Sequence, residues 1–235
     1  MKKENFKKFQ KLIKEIENSQ GYKINSAAHD LENSFIAAVV NFGELEKILE
    51  NVPVFSVEQK RDGQSRKFML NALRVFSNYL ASVTAFRDHI RNFIKDIYGS
   101  TQNAFEGKYQ EKINNDFKNN SLAQFIEDIR NFHQHYRSLP ISILTRVEND
   151  KLYSRVVLSR ELLLKSNYKW GKGKYFLNGV NKDEPVDVLE IAESYLYKTI
   201  FPWVMKQQAE YHKKEFNELQ NLKNMARKLY NSNEN

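Results

Sequence analysis

The chain of 235 residues contains no cysteine. That absence excludes disulfides, thiol nucleophiles and thiolate metal sites. A secreted chain of this length would often carry disulfides, so the expected location is cytoplasmic. Long apolar runs are missing as well. The N-terminal lysines soon alternate with Phe6, Phe9, Leu12 and Ile16, which is not a secretion signal, and no stretch approaches transmembrane length. A soluble protein without a membrane partner is expected. Proline is scarce, at four residues, and glycine numbers eight. Neither gathers into a low-complexity linker, and no internal repeat is visible.

What is present suffices for a core. Hydrophobic residues make up 41% and aromatics 13%, with 16 Phe and 12 Tyr, so global disorder is excluded. Lys and Arg outnumber Asp and Glu by 37 to 29, a net charge of +8. Such an excess suits a polyanion partner such as RNA, and equally a lysine-rich surface that only aids solubility. The length fits one large domain, 1–235.

Helical spacing dominates. Phe6, Phe9, Leu12, Ile13 and Ile16 mark a first helix ending near 19–21. Ser26 is a candidate cap for a second, with Leu31, Phe35, Ala38, Val39, Phe42 and Leu45 buried, ending before Pro53. Residues 64–98 form a long periodic stretch, with Gly99 as its stop. A polar helix over 103–117 leads to a turn and cap at 119–121, then a helix from about Leu122 to Arg137, ended by Pro140. The period then changes. Ile141, Ile143, Thr145 and Val147 alternate, 148–151 reads as a turn, and Tyr153, Arg155 and Val157 return, which predicts a β-hairpin. Residues 165–184 are irregular and hold three of the eight glycines, so 141–184 reads as a hairpin-and-loop insertion. A last helical region is predicted after Asp183, with Pro185 in its first turn. Pro202 should kink or break it, 204–230 should form a long solvent-facing helix, and 231–235 should fray. The predicted class is mainly α, a helical bundle with a small β-hairpin.

One segment carries the chemistry: Glu127-Asp128-Ile129-Arg130-Asn131-Phe132-His133-Gln134-His135-Tyr136-Arg137-Ser138-Leu139-Pro140. A guanidinium grips phosphate oxygens as a fork, and an imidazole trades a proton near neutral pH. Together with the Asn131 amide, Arg130 and His135 are candidates for handling a phosphodiester. At about 100° per residue, with Ile129 at the centre of the buried face, Leu122, Phe125, Ile126, Phe132 and Tyr136 fall within about 60° of it. His133 lies at about 40°, inside the stripe, and reads as a core histidine. Arg130 is on the flank at about 100°, whereas Asn131 and His135 share the opposite face at about 200° and 240°.

Arg130-Asn131-x-x-x-His135 resembles the Arg-polar-x(3–5)-His signature of HEPN domains, which are helical and often ribonucleases. The wider string, with Gln134-His135-Tyr136 and Leu139-Pro140, is similar to a version found in bacterial members. The resemblance implies a metal-independent RNA endonuclease built at a homodimer groove, suited to a toxin–antitoxin or defence role with a possible antitoxin partner. Arg130, Asn131 and His135 would be catalytic. His135 would move protons between a ribose 2′-hydroxyl and the leaving oxygen, Arg130 would stabilise charge on the phosphate, and Asn131 would orient His135 or the phosphate. No cofactor or metal is implied.

Other constellations carry less. His133 and His135 diverge by about 200° on a helix and cannot share an ion. His29, His89 and His212 are isolated. Gly171-Lys172-Gly173-Lys174 lacks P-loop spacing. The run from Tyr168 to Tyr175 interleaves bases with aromatics, so Lys169, Trp170, Lys172 and Lys174, with Arg137, are candidate RNA contacts. An ordinary lysine-bearing hairpin is the alternative. Arg87 or Arg91 could join the groove, and Glu127 could pair with Arg130 along the helix. A non-catalytic helical module binding RNA or a protein remains the second reading of the whole chain.

Overall fold

The structure, a computed structural model, describes residues 3–98, 104–179, 184–210 and 212–231. It is mainly helical with a small antiparallel sheet. Helix α1 (Lys3–Asn18) leads into α2 (Gln20–Leu49), a short α3 (Val57–Arg61) and the long α4 (Gln64–Tyr98). Then come α5 (Ala104–Ile113), a π-helical turn (Asn114–Lys118) and α6 (Ser121–His135). Strands β1 (Ile141–Glu148) and β2 (Lys151–Leu158), short helices α7 (Arg160–Leu164) and α8 (Lys174–Gly179), and strand β3 (Val186–Asp187) follow. Helix α9 (Val188–Tyr195), a second π turn (Leu196–Ile200), α10 (Phe201–Glu210) and α11 (Lys213–Asn231) complete the chain.

Most predicted elements form where the apolar period places them, and the departures have local causes. Ser19, not Ser26, caps α2, because its hydroxyl accepts from Tyr22 N at 3.2 Å. The last helical region begins at Val188, since the Asp187 carboxylate accepts from Leu189 N and Glu190 N. Pro185 therefore lies before it rather than in its first turn. Pro202 brings no break. It has no N–H to offer the carbonyl four residues back, and the chain widens into a π turn where Phe201 N bonds Leu196 O. The predicted helix over 204–230 is two helices, and α11 packs on α1 and α2 instead of facing solvent. The stop expected at Gly99 and the fraying expected past Asn231 lie outside the described residues.

The main core is where α2, α4, α6 and α9–α10 meet. Phe42, Tyr79, Phe86, Phe125, Phe132, Tyr195 and Trp203 are fully enclosed there. Tyr79 donates its hydroxyl to Ala192 O at 2.7 Å, fastening α4 to α9. Leu12, Ile16, Leu219 and Ala226 make a second cluster between α1 and α11.

The hairpin turns on Asn149 and Asp150, both at positive φ (49° and 60°). Consecutive left-handed residues suit the right-handed twist of two paired strands, and Asn and Asp tolerate them. The register pairs Ile141 with Leu158 and Ile143 with Val156, so the hairpin base packs on the core. The sheet has a third strand that the sequence did not announce, Val186 pairing with Leu158.

Gly21 sits where α2 crosses α11, and a Cβ there would collide with the Glu215 carbonyl. Gly21→Ala is expected to lower Tm because backbone must move. Gly43→Ala is the control. Its Cβ meets nothing within 4 Å, so it should gain about 0.5–1 kcal/mol in thermal or urea melts from helix propensity.

Candidate functional site

Helix α6 is defined at both ends by its own sequence. Asn120 Oδ1 accepts from Leu122 N and Ala123 N at 3.0 and 3.1 Å, capping the first turn. At the other end Tyr136 N and Arg137 N both reach Phe132 O, and the chain leaves through buried Leu139 into Pro140. The helix therefore stops at His135, two residues before the expected Arg137. Phe125, Ile126, Ile129 and Phe132 are buried as the stripe predicts. Tyr136, expected within it, is half-exposed and tilts against Phe132 and Tyr168.

His133 faces α4, with Nε2 2.7 Å from Ser77 Oγ. Ser77 gives its own proton to Leu73 O at 2.6 Å, so the ring donates through Nε2 and Nδ1 carries the lone pair. That Nδ1 is buried without a hydrogen-bond partner among the described residues, and burial lowers the pKa of the ring. The histidine within the stripe thus packs against α4 as its position implied.

Arg130 and Asn131 come together directly. Arg130 Nη1 donates to Asn131 Oδ1 at 2.9 Å, both side chains partly buried. The amide thereby orients the guanidinium; it does not orient His135. Arg130 Nε is buried without a partner among the described residues. His135 is exposed and has no hydrogen-bond partner among the described residues. Arg137 lies over the Tyr136 ring, 5.5 Å from its centroid.

Glu127 does not pair with Arg130. It reaches across to α4 and binds Arg87 Nη1 at 2.6 Å, while Arg87 also contacts Asp88 at 3.2 Å. Burial disfavours the Arg87 charge, but Glu127, Tyr195 and Asp88 outweigh it and raise its pKa. Arg87 is buried and committed, so it is not a groove residue. Arg91 sits exposed beside Asp88.

The loop with the interleaved lysines is docked along α6. Asp128 accepts from Gly173 N at 3.0 Å and from the Gly171 backbone. Burial raises the Asp128 pKa against these two bonds. A Cβ at Gly173 would lie 2.7 Å from Phe125 Cα, so the glycine permits this contact. Trp170 is held inward. Its indole stacks on Phe132 (5.5 Å, 14°) and Phe125 (6.1 Å, 24°), and Nε1 donates to Leu163 O at 3.1 Å. It forms part of the α6 packing and is not free to stack on a base. Lys169, Lys172 and Lys174 remain exposed beside the helix. Ser77 and Asp128 were not among the expected residues, and Tyr168, expected in a base-stacking run, packs on Phe132 instead. Their roles arise from contacts with distant elements, which no local pattern signals.

Among the described residues no group of three or more His, Asp or Glu side chains gathers into a metal-holding cluster. Among the described residues no helix is long and apolar enough to cross a membrane. Comparison with family models, with curated proteins and with solved structures gives no match.

His133 and His212 are both held below the usual imidazole range by burial. The unfolded chain therefore takes up protons more readily, and folding stability falls as pH drops below about 6.5. Melts between pH 7.5 and 5.5 should show a steeper loss for wild type than for His133→Asn. Parallel curves would refute a part for His133 in that loss.

Proposed function

We propose that the protein is a metal-independent RNA endonuclease of HEPN type that acts as a homodimer. The observation that carries this reading is the arrangement on α6. A guanidinium is held by the Asn131 amide, and an imidazole stands in solvent on the next turn. Arg130 and His135 are five residues apart, hence separated by about 7.5 Å along the axis and about 140° around it. One copy does not aim both at one phosphate. Two copies of α6 across a twofold axis bring a second set to the same place, because such an interface repeats one patch on both sides.

In this site one imidazole takes the proton of a ribose 2′-hydroxyl as its oxygen attacks phosphorus. The bond to the 5′-oxygen breaks, and the leaving oxygen receives a proton from the imidazole of the other copy. Products are a 2′,3′-cyclic phosphate and a 5′-hydroxyl. Arg130 stabilises the charge that builds on the phosphate oxygens. Arg137 and the exposed Lys169, Lys172 and Lys174 flank the same helix and suit the backbone of the strand. A cytoplasmic role in defence or as a toxin, with a protein antitoxin, fits this chemistry.

Arg130→Ala and His135→Ala should each reduce cleavage of mixed RNA at least a hundredfold while leaving the unfolding free energy within about 1 kcal/mol of wild type. EDTA should leave the wild-type rate unchanged, and light scattering should give a dimer at micromolar concentration. If no RNA is cut, or if only His133→Ala abolishes cleavage in a folded protein, this assignment falls and a non-catalytic binding module replaces it.

Replacing Lys169, Lys172 and Lys174 together with Ala should weaken RNA binding and flatten its dependence on salt, because fewer counterions are released. An unchanged slope in a salt titration would leave the loop with only its packing on α6.

A further inference from the structure

Helices α1 and α11 pair through Leu12, Ile16, Leu219 and Ala226, a cluster apart from the main core. In 16 and 19 residues they hold ten Lys and Arg against five Glu, so five of the chain's eight excess positive charges lie on this pair. Leu12 and Ile16 are buried, and Phe6, Phe9 and Ile13 continue the apolar side of α1 beyond them. Phe9 and Ile13 are only partly covered, and Phe6 is 46% exposed. A shallow groove of about 640 Å³ follows these three side chains, and Lys7, Lys11 and Lys14 line it too. All three lysines are exposed. Lys11 reaches Glu15 at 3.8 Å, a solvent-exposed pair worth little, and Lys7 and Lys14 make no ion pair among the described residues. From α11, Tyr230 sets its ring 6.2 Å from Phe9 and is 55% exposed. Arg227, also exposed, stands one turn before Tyr230 on the same side of α11.

The result is an exposed aromatic strip bordered by cations, and its charge selects a polyanion. Its composition selects unpaired nucleic acid over a lipid surface. Gln10 and Glu17 line the groove beside Phe6 and Ile13, whereas a helix that sinks into a bilayer keeps its apolar face unbroken and its polar residues opposite. Flat rings at the surface offer their faces to bases, which an unpaired strand can present and a duplex cannot. From Phe6 to Ile13 the strip runs about 10 Å along the helix, room for a few nucleotides at about 3.4 Å each.

We propose that the α1–α11 face binds single-stranded RNA, with bases stacked on Phe6 and Tyr230 and phosphates held by Lys7, Lys11 and Lys14. The choice of RNA rests on the reading of α6 as an RNA endonuclease. This face would hold the same strand through residues other than those that do the chemistry.

The test uses the full chain and a labelled 2′-O-methyl oligouridylate of about twelve nucleotides, within the range of single-strand site sizes. The probe lacks the 2′-hydroxyl that the α6 chemistry needs, so fluorescence anisotropy reads binding whether or not the protein cuts RNA. Phe6→Leu combined with Tyr230→Leu keeps apolar bulk and removes the ring faces; it should weaken binding at least about tenfold. Lys7→Gln, Lys11→Gln and Lys14→Gln together should lower the slope of log affinity against log salt by about 2, at about 0.7 per phosphate contact. All five side chains are exposed, so these variants leave the core intact. The duplex formed with a complementary strand should bind more weakly than the single strand. Full affinity in the leucine variant, an unchanged salt slope in the glutamine variant, or tighter binding of the duplex would each overturn the proposal. Binding to phosphatidylserine vesicles that the leucine variant keeps and the glutamine variant loses would also overturn it, in favour of a lipid surface. A protein that binds the probe as stated but cuts no RNA keeps this face and loses only the chemistry of α6.

Discussion

Helix α6 is clamped from two sides, and the placement of its outer face depends on that clamp. On the α4 side, Ser77 meets His133 and Arg87 meets Glu127. On the other, the loop after α7 lays Gly173 on Asp128 and Trp170 on Phe125 and Phe132. Between them the stripe of Phe125, Ile126, Ile129 and Phe132 is buried almost completely. A helix held this way cannot roll without opening the core or leaving a polar group unpaired. Its remaining residues, Asn131 and His135, have a fixed outward direction.

The clamp also divides the charges of the segment between architecture and surface. Glu127 and Asp128 are both turned to partners inside the molecule, one to a cation and one to backbone N–H groups. Arg130, relieved of Glu127, is oriented by a neutral amide instead. That leaves its positive charge uncompensated by any carboxylate among the ion pairs of the described residues, a better starting state for meeting a phosphate than a guanidinium already neutralised. The interleaving of lysines and aromatics in the loop follows from the same packing. Tyr168 and Trp170 turn in toward α6, and the lysines between and beyond them turn out.

Where α1 and α11 pair, the molecule is built differently. The α1–α11 pair has its own small apolar cluster and meets the main body at the Gly21 crossing. An apolar cleft lined by Leu31, Phe35, Phe93, Val204 and Phe216 lies near this seam.

The sequence by itself determined the elements. Apolar residues at helical spacing located α4 to its end residues and showed which side of α6 is buried, because periodicity and amphipathic burial are the same fact. A cap within 119–121, which is Asn120, and a turn within 148–151, which centres on Asn149 and Asp150, were legible too, since these act within a few residues. The position of His133 within the stripe predicted its packing and separated it from His135. What only the tertiary structure decided were choices between partners distant in sequence. Glu127 could pair along its own helix with Arg130 or across to Arg87, and the buried cation won, since a desolvated charge needs its counterion more than an exposed one does. Trp170 could face solvent or the core, and the Gly171 and Gly173 backbone approaching Asp128 turned it inward. Two-residue β3 carries too little pattern to be read, and its pairing exists only because β2 offers it an edge. Local periodicity records how much of a residue is buried. It holds no record of which neighbour does the burying.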